Sequence, residues 1–160
     1  MAAMPQGHAL TGQERRLERI AAWSSLGAGA VHGALVRDHL AEWWGYGLFF
    51  LVAGLVQILF SLALITDAVN PRDTGAGWRK GRRAVYAVGL VGNVGLVVLY
   101  AVSRTTGVPF FGPEAGEVEA VAWVDLVAKA LEVVAVVALA TLLRKPSPEP
   151  VDGPGGPLRP

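Results

Sequence analysis

Between Leu48 and Leu64 the only polar side chains are Gln57 and Ser61. With its apolar shoulders the run covers residues 43–66, and at ~1.5 Å per helical residue it comfortably crosses a hydrocarbon core of ~30 Å. A water-soluble helix of that length alternates an apolar stripe with a charged face. Here the charges sit in short blocks between apolar runs, and insertion into lipid is the economical explanation.

Three further runs, at 17–36, 84–102 and 120–143, have the same character. Because a bilayer tolerates only backbone that satisfies its own hydrogen bonds, the expected fold is all-α: a polytopic four-transmembrane-helix bundle over residues 17–145. A polar flank, 1–16, precedes it, and a Pro/Gly-rich tail, 146–160, expected to be disordered, follows it. The first run carries Ser24, Ser25 and His32. Its basic start and Ala28-Gly29-Ala30 also fit a cleavable signal peptide, although the apolar stretch continues past that cut.

Orientation follows from the basic residues. With the first span running outward, Arg15, Arg16 and Arg19, the cluster from Arg72 to Arg83, and Arg144 and Lys145 all fall on one side, leaving Arg37 and Arg104 opposite. Positive charge is retained on cytoplasmic flanks, so both termini are expected in the cytoplasm. Trp43, Trp44, Tyr46, Tyr100 and Trp123 then mark the outer boundary and Trp23, Trp78 and Tyr86 the inner one. A short connector at 37–42 makes the first two spans an antiparallel hairpin. Gly29 with Gly33, and Gly89, Gly92 and Gly95, are expected to let helices approach closely.

Composition removes several classes of function. There is no cysteine, and both methionines lie within the first four residues, so disulfides, thiolate sites and soft-metal ligation are excluded. A net charge of +1 gives no nucleic-acid groove. No phosphate loop, nucleophile elbow or Ser-His-Asp pattern is present, and no reaction is assigned.

The chemistry-bearing residues lie inside the spans. Asp125, Lys129 and Glu132 share one face of the fourth span. Exposing them to lipid costs several kcal/mol, so that face turns inward. It is read either as a proton relay, cation path or ligand site, or as a self-neutralised Asp125–Lys129 pair with Glu132 protonated or bonded to Lys129. Gln57 and Asn93 fall near the middle of their spans and complete an intramembrane polar network with these three; taken singly, each is more simply a hydrogen bond between helices. At the outer mouth stand Asp38, His39 and Glu42, facing Glu114, Glu117 and Glu119.

His32, His39, Glu42 and Asp125 form a ligand set suited to a transition-metal ion. On a continuous helix the two histidines are ~10 Å apart, so sharing an ion needs a bend near Arg37. Haem ligation is less favoured and needs a homodimer. The expected function is a small multi-pass membrane protein with a polar, cation-accessible site in its extracytoplasmic half, binding a transition metal or relaying protons. The alternative is an accessory subunit that docks a membrane partner protein through its charged fourth helix.

The stretch His39-Leu-Ala-Glu-Trp-Trp-Gly-Tyr-Gly-Leu-Phe-Phe with Gln57 beyond it, and Gly107-Val-Pro-Phe-Phe-Gly-Pro-Glu-Ala-Gly-Glu-Val-Glu followed by Asp125 and Glu132, resemble small four-span membrane proteins of high-GC bacteria. The resemblance implies a bacterial plasma membrane location and carries no activity with it.

Overall fold

A computed structural model describes residues 10–66 and 76–145, with side chains in the second segment from residue 80 onward. Arg72, the side chains of Trp78 and Arg79, the start of the flank and the tail 146–160 lie outside the described residues. Four helices follow one another: α1 (Gly12–Glu42), α2 (Trp44–Ile65), α3 (Ala76–Thr105) and α4 (Trp123–Arg144).

α1 starts with a capping box. Thr11 Oγ1 accepts from the Glu14 amide at 3.2 Å while Glu14 returns a carboxylate to the Thr11 amide at 2.8 Å, which satisfies two of the donors a helix start leaves open. The helix then continues through residues 37–42, expected to be a connector, because nothing there breaks it. Trp43 alone leaves helical geometry, with φ −163° and ψ 138°, and α2 begins at the next residue. The hairpin is therefore tighter than expected, and no bend occurs near Arg37.

α2, α3 from Lys80 onward, and α4 are long and apolar enough to cross a bilayer. α1 is long enough but too polar by the same measure, so on length and apolarity the expected four spans reduce to three. Its ends carry Glu14, Arg15, Arg16, Glu18 and Arg19 on one side and Arg37, Asp38 and His39 on the other. Its middle is built from alanine, glycine and serine, and this small-residue surface packs against α2 and α4. The tightest approach is at Gly29 and Gly54: a Cβ on either would come within 2.9 Å of the other's carbonyl oxygen. Only a side chain reduced to hydrogen lets the backbones meet there. Of the expected glycines of α3, Gly89 faces a neighbour, the Phe60 ring, whereas a Cβ on Gly92 or Gly95 would meet nothing within 4 Å. The expected glycine-lined contact is thus confined to one turn.

Consecutive helices alternate in direction, so α1 runs antiparallel to α2 and α4, and α3 packs mainly on α4. The distribution of side chains inverts that of a water-soluble domain. Leu51, Leu55, Leu59, Val88, Val91 and Val137 are exposed, while Ser25, His32, Gln57, Ser61, Asn93 and Glu132 are buried. Large apolar surface outside and paired polar groups inside is the arrangement that a hydrocarbon solvent selects.

Along the helix axes the interior has two halves. Toward the end where α1 starts and α4 finishes, Ala21, Ala22, Leu64, Ala138, Leu139 and Leu142 close into an apolar core. Beyond it Arg82 pairs with Glu18, and the Tyr86 hydroxyl donates to the same carboxylate at 2.9 Å. Arg83 donates to the carbonyls of Leu143 (2.7 Å) and Lys145 (3.1 Å), placing a cation where the dipole of α4 is negative. The opposite half holds polar groups and a cavity.

Candidate functional site

Glu132 has no solvent exposure, and a carboxylate without water is costly unless its oxygens find partners. Three helices bring groups to it, and the fourth joins through Gln57. Lys129, one turn earlier on α4, places Nζ 2.6 Å from Oε2. From α1, His32 brings Nε2 to 3.2 Å from Oε1. From α2, Gln57 donates through Nε2 to Oε1 at 3.2 Å and to Asn93 Oδ1 of α3 at 3.3 Å. Asn93 is itself oriented by donating to the Gly89 carbonyl at 2.8 Å. Facing an ionised carboxylate oxygen, His32 Nε2 carries a proton, since a bare nitrogen lone pair there is repulsive. Nδ1 of the same ring is buried and has no hydrogen-bond partner among the described residues.

The i, i+4 pair between Asp125 and Lys129 does not form. Asp125 is taken from α3, where Arg104 donates through Nη2 to Oδ2 at 2.7 Å and also bridges to Glu119. Lys129 is left to turn toward Glu132, and its ammonium lies 5.5 Å from the Tyr100 ring centroid. Arg104 covers the same ring at 4.9 Å. Two cations on one aromatic ring are held by the ring quadrupole and by their separate carboxylates.

A cavity of about 610 Å³ reaches this group from the end where α1 turns into α2. Its inner part is lined by His32, Phe50, Leu96, Tyr100 and Lys129, and its mouth by Asp38, Glu42, Glu114 and Glu117. The connector between α3 and α4 shapes that mouth. Phe111 packs against Trp43 and Tyr46, with ring centroids 5.2 and 5.6 Å apart, and its carbonyl accepts from the Tyr46 hydroxyl at 3.2 Å. Gly112 has φ +87°, and a Cβ there would fall 2.3 Å from the Tyr46 hydroxyl oxygen. Only glycine suits both the backbone angle and the space.

Of the residues expected from sequence, His32, Gln57, Asn93, Lys129 and Glu132 come together, and Asp125 stands apart on Arg104. The metal set does not assemble: among the described residues no three of histidine, aspartate or glutamate gather around a common point. His39 stacks on Phe50 with centroids 3.8 Å apart and has Nδ1 3.0 Å from the Leu35 carbonyl. Glu42 is exposed at the end of α1, and the unbroken helix keeps His32 and His39 from converging. Arg104, Tyr100 and the Glu18–Arg82–Tyr86 group were not legible as site or core residues. Arg104 had one signal, being with Arg37 one of two arginines left on the side opposite the basic clusters.

Comparison with protein-family models, with curated proteins and with solved structures finds no match for this chain.

Proposed function

We propose that this chain is a multi-pass membrane protein carrying a proton-exchanging centre, His32–Glu132–Lys129, that is entered from one side through the cavity. One observation carries the reading: His32 and Lys129 line the cavity while both touch the same fully buried carboxylate. A proton arriving through the cavity meets an imidazole already bonded to a carboxylate, an arrangement that passes or stores it without opening the fold. The apolar core supplies the barrier toward the other end.

The end rich in Arg15, Arg16, Arg82, Arg83 and Arg144 is assigned to the cytoplasm and the cavity mouth to the extracytoplasmic face, on the bias of positive charge. α1 crosses with the other three helices, shielded by α2 and α4. The charged face of α4 finds its partners within the chain, which favours an internal centre over docking a second protein by that face.

The test is an infrared difference spectrum between neutral and acid buffer on the protein in lipid vesicles. One carboxyl band and one imidazole band, of Glu132 and His32, are expected to change together, and Glu132→Gln to remove that pair from the spectrum. A spectrum identical in wild type and Glu132→Gln overturns the centre.

A further inference from the structure

The cavity is far larger than a proton path requires. Its volume of about 610 Å³ lies within the range of pockets that enclose small organic molecules, ~300–1,000 Å³, and its lining has a definite chemistry. Six carboxylates, Asp38, Glu42, Glu114, Glu117, Glu119 and Asp125, face it against two basic side chains, Arg104 and Lys129. Both cations are already committed, Arg104 to Glu119 and Asp125, and Lys129 to Glu132. Asp38, Glu42, Glu114 and Glu117 form no ion pair among the described residues.

Deeper in, the wall is aromatic and aliphatic: Phe49, Phe50, Leu96, Leu99 and Tyr100. His32 closes the inner end, 4% exposed, with Nδ1 unpartnered. The Tyr100 hydroxyl is likewise buried without a partner among the described residues, so two residues that line the cavity carry unfinished polar atoms, which are costly and uncommon in a finished core.

We propose that the cavity binds an amphipathic organic cation, a protonated or quaternary amine on an aromatic or alkyl body. The body lies against Phe50, Leu96 and Tyr100, and the positive charge stays toward Asp38, Glu42, Glu114 and Glu117. An anionic guest would meet the unpaired carboxylates at the mouth. A bare divalent ion would need carboxylates that converge, and they do not. Aromatic faces and carboxylates together favour a diffuse, weakly hydrated cation over a compact one. The proposal rests on the reading that the cavity is the entrance to the proton centre, and adds the class of molecule that enters it.

The experiment uses the full chain in lipid nanodiscs with two probes of the same shape and opposite charge, tetraphenylphosphonium and tetraphenylborate. Saturable binding of one tetraphenylphosphonium per chain is expected, weakened about tenfold or more by the triple change Glu42→Gln, Glu114→Gln, Glu117→Gln, as removal of exposed carboxylates near a cation implies. Raised salt should weaken it as well. Tetraphenylborate should show only the non-saturable partitioning of empty nanodiscs.

Equal saturable binding of both probes, no saturable binding of either, or undiminished affinity in the triple variant overturns the proposal. The substituted positions are exposed, so the variant tests charge and not folding. The infrared experiment reports on the centre separately. Intact difference bands with no cation binding sink the cation alone, and cation binding without bands sinks the proton centre alone.

Discussion

Two buried carboxylates, one in each half of the molecule, are solved by the fold in different ways. Glu18 sits beyond the apolar core, bound by Arg82, and the Tyr86 hydroxyl completes the group by donating to the same oxygen. Arg82 in turn donates to Tyr86, so each of the three side chains holds the other two. Glu132 has three partners from three helices, yet the group is left unfinished: its Oε2 meets Lys129 as an ion pair without a formed hydrogen bond, and His32 Nδ1, Gln57 Oε1 and the Tyr100 hydroxyl are buried without hydrogen-bond partners among the described residues. A closed group gains rigidity and gives nothing to exchange. An unfinished one beside a cavity keeps capacity for a proton or a guest, at a cost to stability that the closed half offsets.

The largest expected effect breaks the closed group. Arg82→Met strands the Glu18 carboxylate inside the protein and should cost about 3–5 kcal/mol of unfolding free energy in mixed micelles, the usual penalty for halving a buried ion pair. Adding Glu18→Gln should recover most of that loss. A single-variant cost near zero would mean that water reaches Glu18, and the contrast between the halves would fail.

Next comes the core that separates them. Leu139 is fully buried in it, and Leu139→Ala should cost about 2–5 kcal/mol through lost contact and a cavity. The same variant should leave the infrared difference spectrum intact, since Leu139 belongs to the apolar core and takes no part in the hydrogen bonds and ion pairs around Glu132. Glu132→Gln should cost less than Arg82→Met, about 1.5–3 kcal/mol for charged hydrogen bonds lost, because Lys129 lines the cavity and can be solvated there. It should nevertheless erase the paired imidazole and carboxyl response of the centre to acid. Stability and exchange would then fall on opposite halves of the chain.

The contrast was only partly legible in the sequence. α2 and α4 were readable within a few residues, because long apolar runs between charge blocks have few alternatives. α1 was not: its charged ends extend the helix well beyond the apolar stretch at both ends, and 37–42 looked like a connector only because a short polar segment between apolar runs usually is one. Periodicity put Lys129 and Glu132 on one inward face, and depth counting put His32, Gln57 and Asn93 near them. Counting along one helix could not show that Arg104, projecting from a different helix, captures Asp125. Nor could it show that Arg82, read as part of a basic loop, lies on α3 opposite Glu18. Pairings between helices depend on rotation about each axis, which hydropathy does not encode.

The smallest effect bears most directly on what the open group is. Gln57 Nε2 is shared between Glu132 and Asn93, so it supplies one of three donors to the carboxylate and links α2 to α3. Gln57→Leu should cost only about 0.6–2 kcal/mol, in line with single interhelical hydrogen bonds in lipid. His32 and Lys129 remain in place, so the infrared bands should shift in frequency and keep their intensity. If they vanish as completely as in Glu132→Gln, the exchanging unit is the whole four-helix network, with Gln57 fixing the imidazole and carboxylate together. If they do not move at all, Gln57 is a strut between α2 and α3, and the centre reduces to the α1–α4 contact of His32 with Glu132 and Lys129.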